Sequence, residues 1–363
     1  MRLGIDARPL QHPYTGIGQY LRALLKELDR KGVDLYLYAS APFVDPPASA
    51  RIRTGKHFQS KTASLFAQAV YPGWARKDKL DCFWSPRHHL PLALPGIASV
   101  VTIHDLVWRA VPLTMTAYAR TLERLLMPPS IKMATAVLAV STSTARDLVD
   151  FDPQCAAKVT VTSLAPRLAQ PIDRTTLLGN HTAPYALFVG TLEPRKNIER
   201  LLDAFRHARM HGNVTHQLHL VGGGGWKHQR LMSTIRQYIG EGWLTHLGEL
   251  ADEALTAQYA NADFLVYPSL YEGFGLPLLE AMHYGVPAVT SKVSSMPDIA
   301  QDSAILVDPE NTQAISHAIE SMANHTSMRL KLGERAKSLA KQYSWRQTAE
   351  KTYQVFEQVT TSY

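Results

Sequence analysis

The chain has 363 residues, of which 45% are hydrophobic and 19% are charged. This length suits two domains of roughly 150 to 200 residues each, and the composition excludes extended disorder. No apolar run reaches the ~18 residues of a membrane-spanning helix, and the N-terminus turns polar too early for a signal peptide, so we expect a cytoplasmic protein. The two cysteines, Cys82 and Cys155, are too few for a disulfide framework or a cysteine metal cage.

The charge is distributed unevenly along the chain. Residues 1–175 carry 22 Lys and Arg against 13 Asp and Glu, a net charge of +9, whereas residues 176–363 carry 16 against 18, a net charge of −2. A basic first half suits nucleic acid, an anionic membrane surface or a phosphorylated substrate, and charge alone does not choose between them. A solvated basic face without a specific partner is the further alternative.

The first half alternates short apolar segments with amphipathic ones, the rhythm of βαβ units. It opens with a predicted strand at 2–6, a helix at about 17–30 and a strand at 33–39, whereas 41–62 has no clear period and is predicted to be loop. The segment STSTARDLV (141–149) supplies hydroxyl caps and a helical pattern after the strand at 136–141. Further strands are predicted at 81–85, 99–105, 136–141 and 158–164.

A linker is predicted at 167–184, where two prolines and polar residues interrupt the alternation. It separates a domain at 1–170 from a second domain at 171–344, and a last helix occupies 345–363. Because continuous apolar strands are typical of parallel sheets buried on both faces, each half is predicted to be a doubly wound, Rossmann-like α/β domain. Strands of the second half are predicted at 185–190, 217–223, 243–250, 263–269, 286–291 and 303–309, and its closing helices at 311–323, 327–342 and 345–361.

Open parallel sheets bind ligands at the carboxyl ends of their strands, so two such domains facing each other would form an interdomain cleft. In GTLEPRKN, Arg195 and Lys196 follow a strand and precede a helix that begins near Asn197. Cations at a helix N-terminus oppose the helix dipole unless a negative ligand compensates them. The pair therefore predicts an anion receptor.

Each of two motifs in the first half has two interpretations, one functional and one purely structural. TGIGQY places Gly16 and Gly18 just before a helix, as in a phosphate loop or an ordinary turn, but it lacks the third glycine of the dinucleotide fingerprint. His104 and Asp105 end a strand, where His104 could position a substrate hydroxyl. Alternatively, His104 is a satisfied histidine and Asp105 caps a helix.

A metal site at His88 and His89 is disfavoured. Neighbouring loop residues rarely both bind a metal, and no acidic companion has suitable spacing in the sequence.

The segment EGFGLPLLE (272–280) predicts a glycine loop after a strand, followed by a helix that begins at Pro277 and ends at Gly285. Glu272 lies in the loop and Glu280 in about the first turn of the helix. A phosphate near the loop would repel carboxylates, so both are expected to accept hydrogen bonds from neutral hydroxyl groups. The order hydroxyl, phosphate, hydroxyl is that of a nucleotide sugar.

These motifs, together with SSMPDIAQDSAILVDP, occur in an order that resembles the retaining glycosyltransferases of family 4 (glycosyl transferases group 1), which have the GT-B fold of two facing Rossmann-like domains. The chain is most similar to bacterial mannosyltransferases of polysaccharide assembly. The resemblance implies transfer of a hexose, preferably mannose from GDP-mannose, to a glycan or lipid-linked glycan, without cofactor, metal or nucleic acid. A UDP- or dTDP-sugar donor, an epimerase or phosphorylase of the same fold, and a non-enzymatic nucleotide-sugar-binding protein are the alternatives.

The resemblance implies that the first domain binds the acceptor, that the second domain binds the nucleotide-sugar donor, and that the final helix at 345–363 crosses back to the first domain. It also implies a role for individual residues. Glu280 would bind the donor ribose, Glu272 the hydroxyls of the transferred sugar, and Arg195 and Lys196 the departing diphosphate, with His104 facing the reacting sugar. The expected catalytic residues are His104, Asp105, Arg195, Lys196 and Glu272. The expected donor-binding residues are Gly16, Gly18, Gly190, Arg195, Lys196, Leu247, Glu249, Glu272, Gly273, Phe274, Gly275, Leu276 and Glu280.

The family transfers with retention, but no carboxylate is an evident nucleophile, so the resemblance suggests a front-face substitution in which the departing diphosphate helps to deprotonate the acceptor. The segment Asp150-Phe151-Asp152 is predicted to be a turn and not a metal clamp. The family often has Gly-Asp-Ala where this chain has Gln301-Asp302-Ser303, and an Asn-Gly turn where it has SLAPRL. Both departures predict altered local geometry.

An apolar stripe in a basic segment of the first half is relevant to the identity of the acceptor. It is either an ordinary core-facing helix or a membrane-surface helix that serves a lipid-linked acceptor. With the basic first domain, the second alternative predicts peripheral contact with the anionic inner face of the cell membrane. The stripe consists of Tyr118, Leu122, Leu125 and Leu126, near Arg120, Arg124 and Lys132.

Overall fold

The computed structural model describes residues 1–12, 15–56, 62–167, 183–225 and 229–361. The chain divides into two compact units, and the boundary expected at 170/171 lies outside the described residues. The first unit contains Met1–Trp108, Ala117–Ala165 and Tyr343–Tyr363, and the second contains Arg109–Thr116 and Pro166–Gln342.

The first unit is built on a parallel sheet of seven strands. These are β1 (Arg2–Asp6), β2 (Asp34–Ala39), β3 (Arg51–Thr54), β4 (Cys82–Ser85), β5 (Ala98–Ile103), β6 (Ala136–Ala139) and β7 (Val159–Val161). Their order is β3-β2-β1-β4-β5-β6-β7, so the order reverses between β1 and β4. The central strands β4, β5 and β6 are buried along their whole length, as expected for a sheet covered on both faces.

The expected loop at 41–62 is wrong in part, because it contains β3. This strand, RIRT, is largely exposed at the edge of the sheet, where it pairs with β2. An exposed edge strand needs no buried face, so its sequence shows no apolar alternation. Residues 57–61 of the expected loop lie outside the described part of the chain.

Helices flank the first sheet. Thr15 caps the first of them by accepting a hydrogen bond from the backbone N–H of Gly18 (3.2 Å). Ser141, in the segment predicted to supply hydroxyl caps, caps another by accepting from the backbone N–H of Thr144 (3.0 Å). The last helix belongs to this unit, and Thr348 within it donates to the carbonyl of Ser163 (2.6 Å). The helices up to residue 151 are α1 (Gly16–Arg30), α2 (Ala63–Asp78), α3 (Val107–Ala110), α4 (Ala117–Met133) and α5 (Thr142–Phe151).

The second unit is built on a parallel sheet of six strands. These are β8 (Tyr185–Val189), β9 (Gln217–Val221), β10 (Leu244–Gly248), β11 (Phe264–Tyr267), β12 (Ala288–Ser291) and β13 (Ala304–Val307). Their order, β10-β9-β8-β11-β12-β13, reverses between β8 and β11. This is the doubly wound order of dinucleotide-binding domains, in which ligands bind beside the reversal.

The remaining helices are α6 (Ile198–His211), α7 (Gln229–Gly240), α8 (Asp252–Asn261), α9 (Leu276–His283), α10 (Met296–Ala300), α11 (Thr312–Asn324), α12 (Thr326–Ala340) and α13 (Trp345–Thr361). Gln301, one of the residues that depart from the family pattern, follows the last residue of α10 as its C-cap. Its φ of 46° lies in the region that favours glycine. The chain therefore keeps a backbone suited to glycine but places a side chain on it.

Candidate functional site

The centre of the candidate site lies at the strand reversal of the second sheet. Arg195 and Lys196 follow β8, and Glu272 follows β11. Lys196 Nζ lies 2.6 Å from Glu272 Oε1, and Arg195 Nη1 lies 2.5 Å from Glu272 Oε2. The other terminal nitrogen of Arg195 donates to Glu193 Oε1 at 2.7 Å. The sheet topology thus brings together two predicted cations and one predicted carboxylate from segments 76 residues apart.

The charges in this cluster compensate one another. Burial alone would raise the pKa of Glu272, but the charges and hydrogen bonds of Arg195 and Lys196 outweigh it and lower the pKa to about 2. Burial lowers the pKa of Lys196, and Glu272 opposes that shift. The two cations at the start of α6 were expected to need a negative partner. Two carboxylates of the protein itself, Glu272 and Glu193, provide that negative charge.

Tyr267 completes the cluster, although from the sequence it is only the last residue of a buried strand. Its hydroxyl donates to Glu272 Oε1 at 2.8 Å and accepts from Lys196 Nζ at 2.5 Å. The ammonium also lies 4.9 Å from the centroid of the Tyr267 ring. One phenol thus orients both partners of the ion pair, and no local sequence signal marks it.

The glycine loop after β11 is held by serine side chains. Ser295 Oγ donates to the carbonyls of Glu272 (3.0 Å) and Phe274 (2.7 Å). Gly275 precedes α9 with φ of 98°, which favours glycine, and a Cβ atom there would lie 2.5 Å from Met296 Cε, so the end of the Met296 side chain would have to move. Gly273 lies within this loop, and Leu276 is the first residue of α9. The loop therefore presents its backbone beside the ion cluster.

Glu280 is buried in α9, apart from that cluster. Its Oε2 accepts from the Tyr259 hydroxyl at 2.9 Å, and its Oε1 lies 3.9 Å from Arg167 Nε. Burial raises the pKa of Glu280, and the nearby charge of Arg167 only partly offsets this. Arg167, which also lies 3.4 Å from Asp252, falls in the predicted linker and was not expected near the site.

The ends of β8, β9 and β10 approach one another closely. A Cβ atom on Gly222 would lie 2.0 Å from the carbonyl oxygen of Gly190, so the chain passes here without side chains. Leu247 is a partly buried residue of β10, and Glu249 is exposed just after it. A Cβ atom on Gly223 would lie 2.3 Å from Glu249 Oε1, so this carboxylate lies over the loop that follows β9.

His104 lies after β5 in the first unit. Its Nε2 donates to the carbonyl of Pro86 at 2.9 Å, which leaves Nδ1 with a lone pair. Burial, aided by nearby positive charge, lowers the pKa of His104 to about 3, so the ring is neutral under ordinary conditions. Tyr20 packs edge-on against it at 5.1 Å between ring centroids.

Other predicted residues of the first unit have plainer local roles. Asp105 Oδ1 accepts from the backbone N–H of Val107 at 3.2 Å, as in the capping alternative. Gly16 and Gly18 form the first turn of α1. Asp152 ends α5 and accepts from the N–H of Gln154 at 3.1 Å, in agreement with the predicted turn.

His88 and His89 do have an acidic companion, so that part of the sequence interpretation is wrong. Glu123 Oε2 lies 3.1 Å from His88 Nδ1 and 3.1 Å from His89 Nε2. The residues are 34 and 35 positions apart, which hides the pairing from a search of local spacing. Within the described ranges, no group of three or more His, Cys, Asp or Glu residues is arranged to hold a metal ion.

Helix α4 does not direct its whole apolar stripe to the core. Tyr118 and Leu125 are 56% and 66% exposed, and Leu122 and Leu126 are partly buried. The core-facing residues are instead Met127, Ser130 and Ile131. The core-facing interpretation is therefore wrong for Tyr118 and Leu125. Over the residues that the structure describes, no helix has the length and apolarity to span a membrane.

Comparison with known proteins gives the family. The Glycosyltransferase Family 4 model matches residues 14–165, and the Glycosyl transferases group 1 model matches residues 170–339. The O-antigen chain mannosyltransferase B of Escherichia coli is 31% identical over 98% of this chain and 99% of its own length. This chain belongs to glycosyltransferase family 4. Serotype-specific mannosyltransferase WbdA of Escherichia coli is 26% identical over 63% of this glycosyltransferase and 29% of its own length.

Solved structures with the same fold match nearly the whole glycosyltransferase. A sucrose-phosphate synthase from Thermosynechococcus elongatus has a TM-score of 0.81 at 19% identity, and covers 100% of both chains. WaaG, a glycosyltransferase involved in lipopolysaccharide biosynthesis, has a TM-score of 0.76 at 15% identity, over 97% of this chain and 98% of its own. The predicted GT-B fold is confirmed.

Proposed function

We propose that this glycosyltransferase moves mannose from GDP-mannose, with retention, to a glycan or lipid-linked glycan during cell-surface polysaccharide assembly. The observation that carries the proposal is the 31% identity, along nearly the whole chain, to an O-antigen chain mannosyltransferase. The similarity to WbdA, a second mannosyltransferase, supports the same sugar.

Arg195 and Lys196 are assigned to the donor diphosphate. They lie at the strand reversal of the second sheet, where this architecture binds ligands. The N-terminus of α9 follows the glycine loop beside them. Glu272 holds both cations in place before the donor arrives, and Tyr267 also holds Lys196. The carboxylate of Glu272 has about four lone-pair positions, of which Arg195, Lys196 and Tyr267 occupy three, so it can also accept from one hydroxyl group of the sugar.

The chemical step is a front-face substitution. The bond between the anomeric carbon and the diphosphate oxygen breaks, and the acceptor oxygen forms a bond on the same face. The proton of the acceptor hydroxyl passes to the leaving diphosphate. Arg195 and Lys196 stabilise the charge that develops on this leaving group, because they are fixed in position by Glu272 before the reaction begins.

The ribose, the base and the transferred sugar of the donor are also assigned to individual residues. Glu280 accepts from the ribose hydroxyls, and the base lies near Leu247 and Glu249 at the end of β10. The neutral His104 accepts a hydrogen bond at Nδ1 from a hydroxyl of the transferred sugar, since its Nε2 donates to the carbonyl of Pro86. No divalent metal is expected to be required, because two cationic side chains serve the leaving group.

The proposal is tested with purified protein and a panel of GDP-, UDP- and dTDP-sugars. We expect GDP-mannose to raise the melting temperature most. In the presence of an alkyl mannoside, NMR should show an α-linked product, the anomeric configuration of the donor, with a rate that EDTA does not change. A larger shift of the melting temperature with a UDP- or dTDP-sugar would overturn the donor assignment. A β-linked product would overturn transfer with retention. Loss of activity in EDTA would overturn the expectation that no metal is required.

A further inference from the structure

Glu123, on α4, lies beside the strand reversal of the first sheet. The order reverses between β1 and β4, and the loop after β4 carries His88 and His89. Both imidazole rings meet the Glu123 carboxylate. In this architecture the reversal of a sheet is a place for a ligand, and this sheet has one of its own, separate from the reversal in the second sheet.

The hydrogen bonds fix the protons of this cluster. The backbone N–H of His104 donates to His88 Nε2 at 3.1 Å, so the proton of that ring is on Nδ1, which donates to Glu123 Oε2. His89 donates to the same oxygen through Nε2. Both histidines therefore bind one carboxylate oxygen of Glu123.

The second oxygen, Oε1, has no hydrogen-bond donor among the residues that the structure describes. The side chain of Glu123 is 18% exposed, and Oε1 is not one of the buried side-chain atoms that lack a partner, so this oxygen reaches solvent. Burial would raise the pKa of Glu123, but the two histidines outweigh it and lower the pKa. The result is an ionised carboxylate that is held on one side and open on the other.

We propose that Glu123 Oε1 accepts a hydrogen bond from a hydroxyl group of the sugar acceptor. An ionised carboxylate accepts hydrogen bonds and repels phosphate, and the hydroxyl groups of a glycan acceptor are neutral donors that suit it. His88 connects Glu123 to the backbone of His104, the residue assigned to the transferred sugar. An acceptor held by Glu123 would therefore be bound near His104. This inference rests on the proposed function.

The test is Glu123→Gln, which keeps the shape of the side chain and an oxygen for the two histidines, but presents an amide N–H₂ to the acceptor. With GDP-mannose as donor and octyl α-mannoside as acceptor, we expect the acceptor KM to rise about tenfold, the loss of one hydrogen bond to a charged group. The donor KM and the slow hydrolysis of GDP-mannose without acceptor should stay unchanged. Glu334→Gln, on the exposed surface of α12, is the matched control.

An unchanged acceptor KM overturns the acceptor site and leaves the proposed function intact. A parallel loss of transfer and of acceptor-independent hydrolysis also overturns it, since Glu123 would then only support His104. If Glu123→Gln lowers the melting temperature by more than about 5 °C, Glu123→Asp, which keeps the charge but shortens its reach, is expected to show the same rise in acceptor KM. Absence of any sugar transfer by the wild-type protein overturns the proposed function, and the acceptor site with it.

Discussion

Lys196 Nζ lies 2.6 Å from Glu272 Oε1, and both atoms are bonded to the same Tyr267 hydroxyl. Because both charged groups are buried, each depends on the other for its charge state. Glu272 thus orients the cations that are assigned to the diphosphate, in addition to any contact with the sugar. We therefore expect a variant of either residue to change stability and, through the proposed role, catalysis.

Lys196→Gln should lower kcat by about 10² to 10³, the usual effect of removing one group that stabilises developing charge. The protein should remain folded, because Arg195 still pairs with Glu272 at 2.5 Å. Steady-state kinetics and circular dichroism measure the two effects. Lys331→Gln, on the exposed surface of α12, is the control. A folded variant with near-normal turnover would remove Lys196 from the catalytic assignment.

The stability of the second unit should fall in acid through Glu272. Its pKa is lowered from 4.5 to about 2, so its stabilising contribution is present above about pH 4.5 and is lost as the pH falls towards 2. The full contribution is about 3 kcal/mol, at about 1.4 kcal/mol for each pKa unit. Urea unfolding of wild-type and Glu272→Gln protein should differ clearly at about pH 7 and much less at about pH 2.5. An equal difference at both values would contradict the assignment.

The sequence predicted what depends on local pattern. The buried parallel strands have continuous apolar runs, so all were found except β3, whose residues RIRT face solvent at an edge. The fold class followed from that alternation. Residue types after the strands also predict an anion receptor at Arg195 and Lys196, which stays a prediction because the structure pairs these cations with Glu193 and Glu272.

What the sequence could not predict are contacts between distant segments. Tyr267 is indistinguishable from a core residue until its hydroxyl is seen between Lys196 and Glu272. The pairing of Glu123 with His88 joins a helix to a loop 35 residues away, and no spacing rule covers it. Arg167 approaches Glu280 from a segment whose composition predicts only a linker. Each of these contacts is set by the packing of the elements.

Glu280→Gln should separate stability from donor binding. Burial raises the folded-state pKa of Glu280, so its favourable contribution exists only below its unfolded pKa and is lost as the pH rises. Above the unfolded pKa the burial of this carboxyl group therefore destabilises the fold, so at neutral pH the amide should give an equal or higher melting temperature. The donor KM should rise about tenfold through the lost ribose contact. A lower melting temperature with an unchanged donor KM would reverse both parts of the assignment.

Gln301→Gly should stabilise the protein. Gln301 has φ of 46° and ψ of −118°, angles that favour glycine. Removing the side chain relieves a strain of about 1 to 2 kcal/mol, partly offset by the greater freedom of glycine in the unfolded chain. We expect a net gain of up to about 1 kcal/mol by urea unfolding, with kcat unchanged. Gly32 has positive φ, and a Cβ atom there would meet no other atom within 4 Å, so Gly32→Ala is the reverse control and should destabilise through the backbone alone.

Helix α4 is the part of the first unit that we expect to contact an anionic membrane. Tyr118 and Leu125 are exposed on the same helix as Arg120 and Arg124, so apolar and cationic groups are available together. Wild-type protein should co-sediment with vesicles that contain phosphatidylglycerol, and less so at high salt because the charge contribution is screened.

Replacing both apolar residues, Tyr118→Ser with Leu125→Ser, should weaken this binding at least tenfold, since burial of one such side chain contributes about 1.5 to 3 kcal/mol. Leu330→Ser is the matched control, because Leu330 is 64% exposed on α12 of the second unit and lies outside the basic segment. Its binding should equal that of the wild type. No affinity of the wild-type protein for anionic vesicles would reject the membrane contact, and equal losses in the double variant and the control would show that α4 is not the surface involved.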